Sequence, residues 1–291
     1  MKKECIFIDA FTDMPYAGNQ LAVFPDGRGL SAAEMQNLAK EINYSETTFI
    51  SESDNAQADF RVRIFTPARE LPFAGHPILG TAYSIMEVFD IWPEKKDILR
   101  LATRVGVIPL RKEKGIIWMT QNRPEFFKQH TDYKIIAALF DLDARDIADD
   151  LPVEEVSTGN RMLIVPIKTL DAVQRAQGNI MEMKDFFKED LIGPYLFSLE
   201  TTEPSTKIHT RFFAPHLGIL EDPATGSAAG PLVGYLLKHK VFGDEFEVVN
   251  EQGVEMGRRS SIMMRGSRQG TEYVIQIGGM CAYVGRGEFE I

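Results

Sequence analysis

Two segments of this chain repeat one another: RIFTPARELPFAGHPILGTAY from Arg63 and RFFAPHLGILEDPATGSAAGPLVGY from Arg211. Arg63, Phe65 and Pro67 recur 148 residues later as Arg211, Phe213 and Pro215, and Gly75-His76 recurs 151 residues later as Gly226-Ser227. The second copy carries three extra residues between strand and glycine. Both spacings are close to half of the 291-residue length. Each copy also reads in one order, an apolar strand, a turn, a glycine and then a helix. Self-similarity at a fixed period is the signature of a repeated structural unit, so two copies of one α/β unit are expected. The boundaries expected are residues 1–115 for the first, 116–280 for the second, and 281–291 as a last strand returning to the first.

The rest of the pattern fits an α+β fold. Strand-like runs appear as CIFIDAF, LAVFP, TTFIS and FRVRIF, then as the meander LRLATRVGVIPLRK and GIIWMTQN with a turn near Glu113–Gly115. Between the second and third runs, Ser31 followed by Glu34 is a capping box, and Met35, Leu38, Ala39 and Ile42 fall on one helical face. A helix is predicted from Pro77, at its first position, through Val88. Further helical stretches are predicted over Tyr133–Phe140 and Ala144–Asp149, with Asp150–Gly159 polar and aperiodic. The last third reads as RMLIVPI, IHTRFFAP, a helix after Thr225, and the strands FEVVN, SSIMMR, EYVIQI and MCAYVG. Strands dominate both halves, and each half has one prominent helix after a glycine turn. This is not the strict alternation of a doubly wound sheet.

Such a glycine-led helix start directs free N–H groups outward and adds the positive end of the helix dipole. Two of them facing a cleft between repeated units would hold a carboxylate and stabilise negative charge beside it, since ligand sites favour such clefts.

Several function classes fall away. The net charge is −10, and Arg258-Arg259 and Lys95-Lys96 are isolated pairs read as solvated surface, so no nucleic-acid partner is expected. No window approaches the roughly 20 apolar residues of a membrane span, and the apolar stretch after Lys2-Lys3 is too short for a signal sequence. A cytoplasmic chain is the default, with Cys5 and Cys281 as reduced core residues. Phosphate-loop, nucleophile-elbow and dinucleotide fingerprints are absent. The five histidines lack metal-binding spacing, so no metal is expected.

A short list of candidates remains. Glu46, in NYSETTFIS, begins an apolar strand. Partial burial would raise its pKa toward the range useful for acid/base work, while an exposed or turn-capping glutamate is the structural alternative. His76, before Pro77, reads equally as a substrate contact or a helix cap. Asp222, in EDPATGS, reads as a turn former, Ser227 as a helix capper and Asn19, in YAGNQLAVF, as a turn residue.

The strings DAFTDMPYAGNQLAVF, NYSETTFI, RIFTPARELPFAGHPILGTAY, RFFAPHLGILEDPATGSAAG and VIQIGGMCAYVGRGEF span nearly the whole chain. Together they resemble the phenazine biosynthesis PhzF-like family, of the diaminopimelate epimerase-like fold. The resemblance implies two similar domains, each a curved, mostly antiparallel sheet around a central helix. It also implies a cleft site, no cofactor, a small carboxylate substrate and a homodimer. Glu46 is then the general acid/base, with His76 and Asp222 assisting proton movement. Asn19, Gly75, Gly226 and Ser227 contact substrate. Relatives that epimerise with two thiols use a cysteine at each helix start. Here those positions hold His76 and Ser227, so a one-base proton shift is expected, of the type that isomerises trans-2,3-dihydro-3-hydroxyanthranilate. The alternatives are an epimerase or racemase pairing Glu46 with Asp222 or His76, and a non-catalytic small-molecule binding protein.

Overall fold

A computed structural model describes residues 1–89, 91, 97–187 and 191–291. The pairs Trp92-Pro93 and Lys95-Lys96 lie outside the described residues. The chain forms two compact units, one of Met1–Thr120 with Gly278–Ile291 and the other of Gln121–Ile277.

The first unit begins β1 (Lys2–Ala10), β2 (Asn19–Phe24), α1 (Ala32–Ile42), β3 (Glu46–Glu52), β4 (Phe60–Phe65) and β5 (Glu70–Leu71). It continues α2 (Gly75–Tyr83), β6 (Ile98–Thr103), β7 (Gly106–Glu113) and β8 (Ile116–Thr120). The C-terminal strand Cys281–Glu290 lies antiparallel to β1. From it the sheet runs through β1, β2, β3, β4, β6, β7 and β8, and only β2–β3 and β4–β6 pair in parallel. Short β5 borders the end of β4.

The second unit contains β9 (Glu125–His130), α3 (Tyr133–Ala138), β10 (Val153–Ser157), β11 (Arg161–Pro166), α4 (Leu170–Arg175), α5 (Ile180–Phe186) and β12 (Leu191–Ser198). After it come β13 (Ile208–Ala214), β14 (Ile219–Asp222), α6 (Gly226–Lys238), β15 (Glu245–Gln252), β16 (Ser260–Gln269) and β17 (Glu272–Gly279). The chain closes with β18, the C-terminal strand already described. The order β9, β10, β11, β12, β13, β15, β16 repeats the first unit step for step, with β11–β12 and β13–β15 as the parallel pairs. Short β14 borders β13 as β5 borders β4. The fold is α+β, built from two copies of one unit.

In each unit one helix is buried on all sides. Residues Gly75 to Ala82 of α2 are all buried, as are all but Ser227 and Lys238 of α6. A helix apolar all round belongs in a core, and these two are the central helices of their sheets. Gly80 lets α2 approach, because a Cβ there would stand 2.6 Å from Ile8 Cδ1 and 2.8 Å from Leu21 Cδ2. On the other side of the first sheet, α1 buries Met35, Leu38 and Ala39 beside Cys5, Phe24, Phe49 and Phe65. Both arms of its Ser31–Glu34 capping box form.

Four local expectations need correction. The helix predicted from Pro77 starts at Gly75, with Ala74 at the N-cap. Proline is tolerated there because none of the first four helical N–H groups has an intrahelical acceptor. Its predicted end, through Val88, is a π-helical turn over Ser84–Val88, where the Ser84 hydroxyl donates to the Gly80 carbonyl. The stretch Ala144–Asp149 contains a single 3₁₀ turn at Ala144–Asp146. Aperiodic Asp150–Gly159 contains β10, whose Glu154 and Glu155 are buried on partners distant in sequence. Arg259 pairs with Glu203 at 2.7 Å, both side chains partly exposed, so it lies at the solvated surface as expected. Both cysteines are free; Cys5 is fully buried and Cys281 is half-buried.

Candidate active site

Parallel pairing brings the first unit's candidates together. β2 and β3 start at the same end of the sheet, with Leu21 in register with Glu46. Side chains alternate along a strand, so Asn19, Leu21, Glu46 and Thr48 share the face toward α2. The Thr48 and Thr81 hydroxyls confirm that face, bonding across it at 2.8 Å. At the start of α2, His76 Nε2 lies 3.2 Å from Glu46 Oε2, with both side chains close to fully buried. Asn19 Nδ2 lies 3.2 Å from His76 Nδ1. Burial holds the His76 imidazole down to about 3, so it is neutral at physiological pH. His76 therefore does not cap its helix, and no side chain caps α2.

In the second unit, β14 delivers Asp222 to the turn before α6. Thr225 is the N-cap, and its hydroxyl, which would ordinarily cap the helix, donates to Asp222 Oδ2 at 2.6 Å. Thus α6 also starts without a side-chain cap. Gly226 and Ser227 are its first two residues, and Ser227 lies inside the helix, not at the N-cap as its sequence reading suggested. Among the described residues, no group of three or more His, Cys, Asp or Glu could hold a metal ion. None of the described helices is long and apolar enough to cross a membrane.

Residues 8–287 match the family model described as phenazine biosynthesis-like protein, PhzC-PhzF. The chain belongs to this family. It is 35% identical over 274 residues to trans-2,3-dihydro-3-hydroxyanthranilate isomerase of Pseudomonas aeruginosa, covering 91% of each chain. A solved Bacillus anthracis phenazine biosynthesis protein of the PhzF family matches with TM-score 0.91 and 31% identity over 100% of both chains. A predicted epimerase from Pseudomonas aeruginosa matches with TM-score 0.82 and 30% identity over 99% of both. The fold is the diaminopimelate epimerase-like one, and this PhzF-like chain is an isomerase-class enzyme.

Sequence reasoning missed several polar residues behind these groups. Thr225 stands inside the EDPATGSA string and could have been singled out there. Gln252, Tyr195, Asn250 and Thr210 carry no local signal, because polar neighbours or strand position leave unclear which side of the sheet each one faces.

Proposed function

We propose that this PhzF-like chain is a cofactor-independent isomerase that moves a proton between carbons of a small carboxylate-bearing substrate, with Glu46 as the acid/base. The observation that carries the reading is the buried Glu46 carboxyl 3.2 Å from His76, which burial keeps neutral. Glu46 removes an acidic C–H proton, and the electron pair delocalises into the substrate. Protonated Glu46 returns the proton to a neighbouring carbon, so the product is an isomer of the substrate. Neutral His76, 3.2 Å from the carboxyl, is placed to assist the proton between the two transfers. Preorganised donors act most where charge develops, and the uncapped start of α2 at Gly75 supplies them beside Asn19. Asp222, Gly226 and Ser227 are proposed as further substrate contacts on the strength of the matching EDPATGSA motif. The enzyme is proposed to act in the cytoplasm as a homodimer. A second reading, epimerisation with inversion at one carbon, is favoured by the solved relative named an epimerase.

The test is NMR of the purified protein with trans-2,3-dihydro-3-hydroxyanthranilate in D₂O, beside Glu46→Gln. Conversion to a keto isomer by the wild type alone supports the proton shift, with the variant slowed about 10²–10⁴-fold. Deuterium incorporation with inversion and no shift of the double bond supports epimerisation instead. Full turnover by Glu46→Gln would end the assignment of Glu46.

A further inference from the structure

Behind Asp222 lies a buried polar network whose hydrogen-bond directions can be worked out from two backbone groups. The Thr225 N–H, which can only donate, lies 3.1 Å from one end of the Gln252 amide, and the Asp222 carbonyl, which can only accept, lies 2.7 Å from the other. These two contacts fix the amide, with Oε1 toward Thr225 N and Nε2 toward the Asp222 carbonyl. The directions on either side of Gln252 follow. The Tyr195 hydroxyl, 2.9 Å from Oε1, must donate to it. Nε2 donates to Thr225 Oγ1 at 2.9 Å, so that hydroxyl's own proton points to Asp222 Oδ2 at 2.6 Å. Upstream, Asn250 Nδ2 donates to the Tyr195 hydroxyl at 3.0 Å, while Thr210 Oγ1 has two acceptors for its one proton, that hydroxyl at 3.1 Å and the Glu251 carbonyl at 3.3 Å.

We infer that Gln252 is a positioning residue, the central link of a one-way chain of donors from Asn250 through Tyr195, Gln252 and Thr225 that ends on the Asp222 carboxylate. Tyr195, Thr210, Asn250 and Gln252 are wholly or almost wholly buried, so water does not replace a missing link. Burial raises the Tyr195 hydroxyl far above its ordinary titration range, so it keeps the proton it donates. The chain has a directional consequence. With Thr225 Oγ1 already accepting from Gln252, its hydroxyl cannot turn toward the helix and remains aimed at Asp222. Bonds in such a chain polarise one another and strengthen the last one. Gly253, the next residue, fits only without a side chain. Its φ is +72°, and a Cβ would meet the Arg258 carbonyl oxygen at 2.5 Å and the Pro223 oxygen at 2.6 Å. The strand end that carries Gln252 is thereby locked to the turn that carries Asp222.

The inference rests on the proposed role of Asp222, but its primary test needs no substrate. The carboxyl ¹³C resonance of Asp222, assigned by its loss in Asp222→Asn, is titrated in the wild type and in Thr225→Val, Thr225→Ser and Gln252→Leu. Removing the last donor in Thr225→Val, or its director in Gln252→Leu, is expected to move the titration to higher pH by roughly half a unit or more. Thr225→Ser, which keeps the hydroxyl, is expected to titrate with the wild type. Should Gln252→Leu fail to fold, the Thr225 pair still decides. An unchanged titration in Thr225→Val overturns the donor chain. Turnover then separates the two claims, because full activity of Asp222→Asn rejects the role of Asp222 while leaving the chain standing. If Asp222→Asn is impaired, Thr225→Val is expected to lose about tenfold in kcat with KM little changed, and Thr225→Ser to recover it.

Discussion

Arg63 and Arg211 occupy equivalent positions in the two units and grip their carboxylates identically. Arg63 donates through Nε and Nη2 to Glu70 at 2.8 and 2.9 Å, and Arg211 donates through the same nitrogens to Glu221, at 2.8 Å each. Each guanidinium lies over the phenylalanine two residues on, 5.0 Å from the Phe65 ring and 4.7 Å from the Phe213 ring. Glu70 and Glu221 are themselves 151 residues apart, the spacing of the two helix-start glycines. The pair ties the end of one strand to the turn that launches the central helix. Duplication therefore preserved the bond that sets the helix start, while the residues around it diverged.

The two arginines carry different loads. Arg211 is buried and also donates through Nη1 to the carbonyls of Val173, Gln174 and Ala176 at the end of α4. Arg63 is more exposed and, among the described residues, makes no such backbone bonds beyond its carboxylate grip and a contact with Met35 sulfur. Removing one partner of a buried pair strands the other, at about 3–5 kcal/mol, so Arg211→Leu is expected to cost that much. Arg63→Leu is expected to cost about 1 kcal/mol, the upper range for accessible pairs. Urea denaturation of both variants measures the difference, and equal losses would contradict the distinction.

What could be read from the sequence follows the same physics. The Ser31–Glu34 box and the two RxF segments were legible because their partners lie within a few residues or recur in a copy. β10 was not legible, because Glu154 looks solvated in sequence. Its acceptors meet Lys238 at the end of α6 and the following His239, more than eighty residues away, and only the fold reveals that they are neutralised. The Glu46–His76–Asn19 cluster was legible residue by residue through its motifs. The contact between them was not, because it depends on the parallel pairing of β2 with β3. Gln252 was hidden for a third reason: in the strand end NEQ, polar residues point to both faces, so alternation gives no sign of which side is buried.

His76 sets an acid limb of stability. Its imidazole is held near 3 by burial, against 6.5 in the unfolded chain. Between those values the unfolded state binds the extra proton, so stability is full above pH 6.5 and falls as pH drops toward 3. The slope is up to about 1.4 kcal/mol per pH unit. His76→Gln removes this contribution, and its stability between pH 4 and 6.5 is expected to decline less steeply than the wild type's. Denaturation midpoints across that range measure both slopes, and parallel curves would contradict the assignment. The same neutrality means that no limb of the activity profile between pH 5 and 8 belongs to His76.

The two thiols should be inert in the folded protein. Burial pushes the Cys5 thiol up to about 12, and it pushes the Cys281 thiol higher still. Thiolate, not thiol, reacts with disulfide reagents, so labelling of the native protein is expected to be far slower than that of the unfolded chain. Both cysteines are free, so two equivalents are expected to label in guanidinium without added reductant. Rapid native labelling of either would show that the surrounding strands open.

The second unit holds the opposite pH device. His209 is completely buried, with Nδ1 2.8 Å from Glu251 and Nε2 3.0 Å from Glu255. An imidazole that donates from both nitrogens is the charged form. Burial opposes that charge, but the two carboxylates outweigh it and hold His209 above its ordinary value. For Glu251, burial acts upward and is outweighed by the bonds from His209 and Thr202, which hold it near 2. The signs differ. The histidine's contribution is full below pH 6.5 and is lost as pH rises through its raised folded value. The glutamate's is present above its ordinary 4.5 and is lost as pH falls toward 2. Together they stabilise most between those limits, and the alkaline loss belongs to His209. His209→Gln leaves two buried carboxylates facing a neutral amide and is expected to cost about 3–5 kcal/mol at pH 6. It should also abolish the decline in stability between pH 6.5 and 9. A wild type as stable at pH 9 as at 6.5, or a variant that declines in parallel with it, would show that His209 is not charged between its glutamates.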